Sequence, residues 1–69
     1  MKTYAEFLRG FIGKKGCLDG IEDSWHFNIN HPNPNAQLVD VGTDYAEFQW
    51  GVTQYFVPTS LLVVIVFRQ

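Results

Sequence analysis

Tyr45-Ala-Glu-Phe-Gln-Trp50-Gly-Val-Thr-Gln-Tyr-Phe-Val57 is the stretch whose pattern decides the fold class. From Tyr45 to Trp50 apolar residues alternate with polar ones, the period of a strand with one buried face. Gly51 suits a tight hairpin turn, and Val52 to Val57 returns as a second strand. The same alternation occurs upstream, where Trp25, Phe27 and Ile29 interleave with His26, Asn28 and Asn30. Leu38 to Val41 is another short strand, and Gly42-Thr-Asp44 is the bend that leads into Tyr45. Downstream, Pro58-Thr-Ser60 reads as a connector of about one 3₁₀ turn, and Leu61 to Phe67 as the last strand.

The period is different at the N-terminus. Tyr4, Phe7, Leu8, Phe11 and Ile12 share one face of a helix predicted over residues 3–12. Thr3 and Glu6 make a capping box, Gly13 is a natural stop, and Lys14 and Lys15 suit the negative end of the helix dipole. His31-Pro-Asn-Pro-Asn35 cannot continue a ladder, because proline has no N–H, and reads as an exposed loop. Residues 14–24 are the least regular. Gly16, Asp19, Gly20 and Asp23 weaken a strand there, although Cys17, Leu18 and Ile21 can supply a short one. The order predicts a single domain over residues 1–69, mainly β with one N-terminal helix. Four to six short antiparallel strands would form a small, strongly bent sheet or barrel, with the helix over one open end.

Composition narrows the function classes. At 69 residues and 46% hydrophobic, with 16% aromatic, the chain is too short for a multidomain enzyme and too apolar for disorder. Only 17% of it is charged, which points to apolar surface buried between subunits. A net charge of -2 excludes nucleic-acid binding through bulk positive charge. Cys17 is the single cysteine, so no intrachain disulfide forms, which fits a reducing compartment. Glu6 and Arg9 interrupt the apolar N-terminus, so no signal peptide is expected. The longest apolar run is well short of the ~20 residues of a membrane helix. A cytoplasmic protein without a membrane partner is the expectation.

Leu61-Leu-Val-Val-Ile-Val-Phe67 is apolar on both faces. A continuous apolar run means that both faces are covered. One short helix covers only part of a small sheet, so the remaining face is expected to meet another chain. A bent sheet folding over both faces of the strand is the monomeric alternative.

Helix, bent sheet, aspartate bend, hairpin, proline connector and apolar last strand together resemble the Sm-like family, which includes the bacterial Hfq proteins. Leu38-Val-Asp-Val-Gly-Thr-Asp44-Tyr-Ala-Glu-Phe48 resembles the end of the family's first motif. Gln54-Tyr-Phe-Val-Pro58-Thr-Ser-Leu61-Leu-Val-Val-Ile65 resembles its second. The resemblance implies an SH3-type barrel and a cyclic homo-oligomer, with residues 52–57 of one chain beside 61–67 of the next. Tyr55, Val57, Leu62, Val64 and Val66 would then lie in the seam. It also implies single-stranded RNA as a ligand at a central pore. The family's Arg-Gly pair is missing, however, and its Lys-His pair would fall at Pro58 and Thr59. The usual uridine pocket therefore lacks its residues.

The candidate RNA-binding residues are Asp44, Tyr45, Lys14 and Lys15. In the resembling family the aspartate orders the loop, and an aromatic after it is placed to stack on a base. The plainer roles are a turn cap for Asp44 and an ordinary strand position for Tyr45. Lys14 and Lys15, repeated around a ring, would make a basic annulus, with Arg68 joining it; alone, they compensate a helix dipole. Cys17, His26 and His31 match no zinc spacing and build no convincing cysteine–histidine pair, so neither metal, cofactor nor catalysis is expected. Asp19, Glu22 and Asp23 read as a solvated bend. Trp25, Trp50 and Tyr55 exceed the needs of a tiny core and suit a protein interface or a base-stacking surface. The sequence thus supports a ring-forming, non-enzymatic Sm-like protein that binds single-stranded RNA. A protein-interaction or assembly module on the same barrel, without nucleic acid, is the alternative.

Overall fold

A computed structural model describes residues 2–67; Arg68 lies outside the described residues. Helix α1 is Tyr4–Arg9. Six strands follow: β1 Lys15–Ile21, β2 Ser24–Ile29, β3 Ala36–Val41, β4 Tyr45–Trp50, β5 Thr53–Pro58 and β6 Leu62–Val66, with a 3₁₀ turn at Thr59–Leu61 before the last. The protein is mainly β with one short N-terminal helix. Its sheet has the order β5-β4-β3-β1-β2-β6 and does not close.

The expectation of a wholly antiparallel sheet is corrected by one pairing. β6 runs parallel to β2, Trp25 opposite Leu62 through Ile29 opposite Val66, so the sheet is mixed. The other pairings are antiparallel. Alternation fixes which face of a strand is buried; it does not say beside which strand an apolar run settles.

The connection from β5 to β6 forces the sheet to curl. These strands are its two edges, and lying flat they would be ~24 Å apart at ordinary strand spacing. The link from Pro58 to Leu62 spans at most ~14 Å. The curl brings Phe27 of β2 and Phe48 of β4 to 4.7 Å between ring centres. Both are fully buried, with Leu8, Leu18 and Leu38 beside them.

Residues 14–24 hold the longest strand. β1 pairs with β2 from Gly16 opposite Ile29 to Ile21 opposite Ser24. Gly16 also pairs with Ala36 of β3. A Cβ there would stand 2.4 Å from the Asn28 carbonyl oxygen, so the glycine permits the close approach of β1 and β2. Asn35 fastens the proline loop to β1, accepting from Leu18 N–H at 2.8 Å and donating to Leu18 O at 3.4 Å.

The helix is shorter than its periodicity predicts. Thr3 caps it by accepting from Glu6 N–H, as the capping box requires. At Gly10, a weak helix former, the α-helix ends, and residues 10–13 continue as tight turns. The buried face of the α-helix is formed by Ala5 and Leu8. Leu8 is buried and Phe11 packs on the core, but Phe7, expected to pack on the sheet, is 45% exposed. Phe7 instead stacks on Tyr4 and meets the Phe11 ring edge to face.

Candidate functional site

Tyr45 opens β4 at the mouth of the bend. Its ring lies where a Cβ on Gly42 would stand, so glycine is what makes room for it. Gly42 N–H donates to Tyr45 O at 2.9 Å, and Thr59 N–H donates to Asp44 O at 3.0 Å. The first bond closes the bend, and the second carries the β4–β5 ladder one step further through the Asp44 main-chain carbonyl. The exposed Phe56 ring of β5 sits 6.1 Å from that of Tyr45. Together they form an aromatic patch on the outer face of the β4–β5 hairpin.

Lys14 and Lys15 are not beside this patch. Lys15 pairs with Gln37, which pairs with Gln49 on β4. Tyr45 lies four residues further along β4, ~14 Å at the rise of a strand. The fold instead brings Arg9 near it. The Arg9 guanidinium donates through Nε to Val41 O at 3.4 Å, one residue from the glycine under the Tyr45 ring. Nothing in the linear pattern signals this juxtaposition, because it depends on how α1 lies against β3.

A shallow cavity of about 310 Å³ is lined by Lys15, Asn35, Gln37 and Gln49 among others. Gln37 donates to Gly13 O and Gln49 to Gly51 O, and Asn35 is bonded to Leu18. Its amide groups are thus already engaged with the main chain.

Cys17 donates its thiol to Asp19 at 3.5 Å. Burial, the hydrogen bond and the negative charge of Asp19 all push the thiol's pKa upward, the opposite of what an activated nucleophile needs. His31 Nδ1 accepts from Asn33 N–H, and its ring lies against Phe67. Among the described residues, no group of three or more His, Cys, Asp or Glu is placed to hold a metal ion. Among them, too, no helix is long and apolar enough to cross a membrane.

The two edge strands carry the expected seam residues. Val57 and Leu62 are buried in the chain's own core, and Tyr55 and Val64 pack against it. Their side chains are engaged within one chain, whereas Val66 is 48% exposed. Tyr55 lies between Trp25 and Trp50, so the surplus aromatics form one cluster of rings, with Trp50 still partly exposed. What the edges present outward is a different set: Phe56 on β5, then Leu61, Val63, Ile65 and Val66 on or next to β6.

Tyr4 reaches one of these edges. Its hydroxyl donates to Leu62 O at 2.9 Å. Burial raises the phenol's pKa above its usual value, while a hydrogen bond from the Val64 main chain opposes that rise.

No protein-family model matches the chain, and comparisons with curated proteins and with solved structures find no match.

Proposed function

We propose that this protein is a non-catalytic assembly module that associates with copies of itself through its edge strands. The observation that carries this reading is β6, an edge strand that is apolar on both faces. Its inner residues Leu62 and Val64 meet the core, while outward Val63 and Ile65 remain 44% and 37% exposed. An open strand edge beside exposed apolar side chains is a template for another strand. The opposite edge, β5, presents Phe56 at 61% exposure. Contact between two different edges is heterologous and generates a ring when its rotation closes. The resemblance to a ring-forming family points the same way.

Single-stranded RNA is the second reading, favoured by the Tyr45–Phe56 patch with Arg9 nearby. A stacked base contributes ~1–3 kcal/mol, and a ring would multiply one weak site into an avid surface. The basic residue implicated is Arg9, in place of Lys14 and Lys15.

Phe56→Lys tests the first reading. Residue 56 is exposed, so the variant keeps its fold while a charge enters the seam. Sedimentation should show oligomers for the parent and monomers for the variant. Equal masses for the two would remove the reading. Short oligo-uridine and oligo-adenosine titrated at two ionic strengths test the second; no binding at low salt removes it.

A further inference from the structure

The main-chain hydrogen bonds show which atoms of each edge are open. Along a strand, the N–H and C=O of one residue point to the same side and those of the next residue to the other. Thr59 N–H turns inward to Asp44 O, next to β4. By alternation Tyr55 and Val57 also turn toward β4, while Gln54, Phe56 and Pro58 turn outward. Phe67 N–H turns to Ile29 O, next to β2. Val63 and Ile65 therefore face β2, while Leu62, Val64 and Val66 face outward. The Tyr4 hydroxyl sits on this outer side, at Leu62 O. It occupies the first acceptor that an incoming strand would use.

Side-chain faces then choose the direction of approach. Phe56 and Gln54 lie on the outer face of the sheet, opposite Glu47 and Gln49. In an antiparallel seam, outward-bonding Phe56 would stand opposite Val64, which packs on the core, or opposite Val66, which is exposed but by alternation lies on the same inner side of β6 as Leu62 and Val64. In a parallel seam it stands opposite Val63 or Ile65, and exposed apolar groups meet on one outer face. Opposite Val63, Phe56 N–H would need Leu62 O, which Tyr4 holds. Opposite Ile65, it bonds Val64 O and receives Val66 N–H, both open.

We infer that β5 of a second copy adds parallel to the outer edge of β6 with Phe56 opposite Ile65, and that the Tyr4 hydroxyl limits this seam by holding Leu62 O. The inference rests on the edge-assembly reading above. In this register Gln54 of the incoming strand needs Leu62 O for its N–H and Val64 N–H for its C=O, and the Tyr4 hydroxyl engages both, so Tyr4 competes with it at this one position. Helix α1 therefore guards the edge, and releasing its first turn lengthens the ladder.

The test uses the full chain with Cys17→Ser as background. Phe56→Cys with Ile65→Cys should give an interchain disulfide ladder on oxidation, because directly paired strand residues lie within the ~4.4–6.8 Å Cα window of a disulfide. Phe56→Cys with Val64→Cys should not. Separately, Tyr4→Phe keeps the ring and removes the competing donor, so self-association should tighten about fivefold, the effect of one hydrogen bond. An assembled protein that gives no Phe56–Ile65 ladder, or whose association is unchanged by Tyr4→Phe, overturns the inference and leaves edge assembly standing. A parent and Tyr4→Phe variant that both stay monomeric overturn both. A monomeric parent beside an assembling, cross-linkable Tyr4→Phe variant supports the guard and overturns assembly of the parent.

Discussion

Gly16→Ala is the substitution whose effect the structure fixes most closely. Residue 16 is buried between two strands, paired with Ile29 of β2 and Ala36 of β3. A Cβ there would lie 2.4 Å from Asn28 O, 2.9 Å from Asn28 C and 3.1 Å from Ile29 Cα. The first contact is roughly 1 Å inside van der Waals separation. All three neighbours are main-chain atoms, so no side chain can rotate away. β2 must retreat, which stretches the β1–β2 ladder beside the fully buried Phe27. Overpacking of this kind costs ~1–3 kcal/mol, and a rigid neighbour places it near ~3. A chain of 69 residues has a total stability of only ~3–10 kcal/mol. At ~4–8 °C per kcal/mol the midpoint should fall by ~12–24 °C. Thermal denaturation followed by circular dichroism measures it, with Gly20→Ala as the control. The Cβ at residue 20 meets only the Trp25 ring, at 3.3 Å, which can shift. A Gly16→Ala midpoint within ~4 °C of the parent would refute the close-approach argument.

Other outcomes follow from single residues. The two-residue turns Glu22-Asp23 and Gly51-Val52 both begin with a left-handed residue, at φ 54° and 61°; glycine suits this and glutamate does not, so Glu22→Gly should stabilise by ~0.5–1 kcal/mol in urea denaturation. Cys17 should react with iodoacetamide more slowly than a free thiol near neutral pH, and Asp19→Asn should speed it, because one of the groups raising the thiol's pKa loses its charge. The Tyr4 phenol titrates above its usual value, so its bond to Leu62 O contributes fully below about pH 10 and is lost as pH rises through the raised pKa. Spectrophotometric titration of Tyr4→Phe against the parent should remove a tyrosine step that lies above the usual phenol value. If RNA binds, Tyr45→Ala should weaken it by ~1–3 kcal/mol at fixed salt. Arg9→Ala should then flatten the salt dependence more than Lys14→Ala does.

The hairpin Tyr45–Trp50 and Thr53–Pro58 was legible because its alternation and its glycine agree on one structure. The strand before the proline loop was legible for the same reason. β1 was hard to read because Gly16 looks like a strand breaker, whereas it marks where two backbones come closest. The helix pattern ran past its true end, since the turn after Gly10 still packs Phe11 on the core although the α-helix has stopped, while Ile12 is left exposed. The parallel seat of β6 beside β2 was not legible, because a two-faced apolar run fits any covered position. The same holds for the site. Tyr45 stood out by its place after Asp44, but Phe56 reaches it through the pairing of β4 with β5, and Arg9 comes to the neighbouring Val41 carbonyl only through tertiary packing.

If the chain assembles through its open edges as proposed, its mass in solution must show it. Sedimentation equilibrium of the untagged protein across a range of micromolar concentrations tests it directly. The mass should be a fixed multiple of 7.9 kDa and should fall to one copy in Phe56→Lys. A parent that stays at 7.9 kDa throughout that range would contradict it.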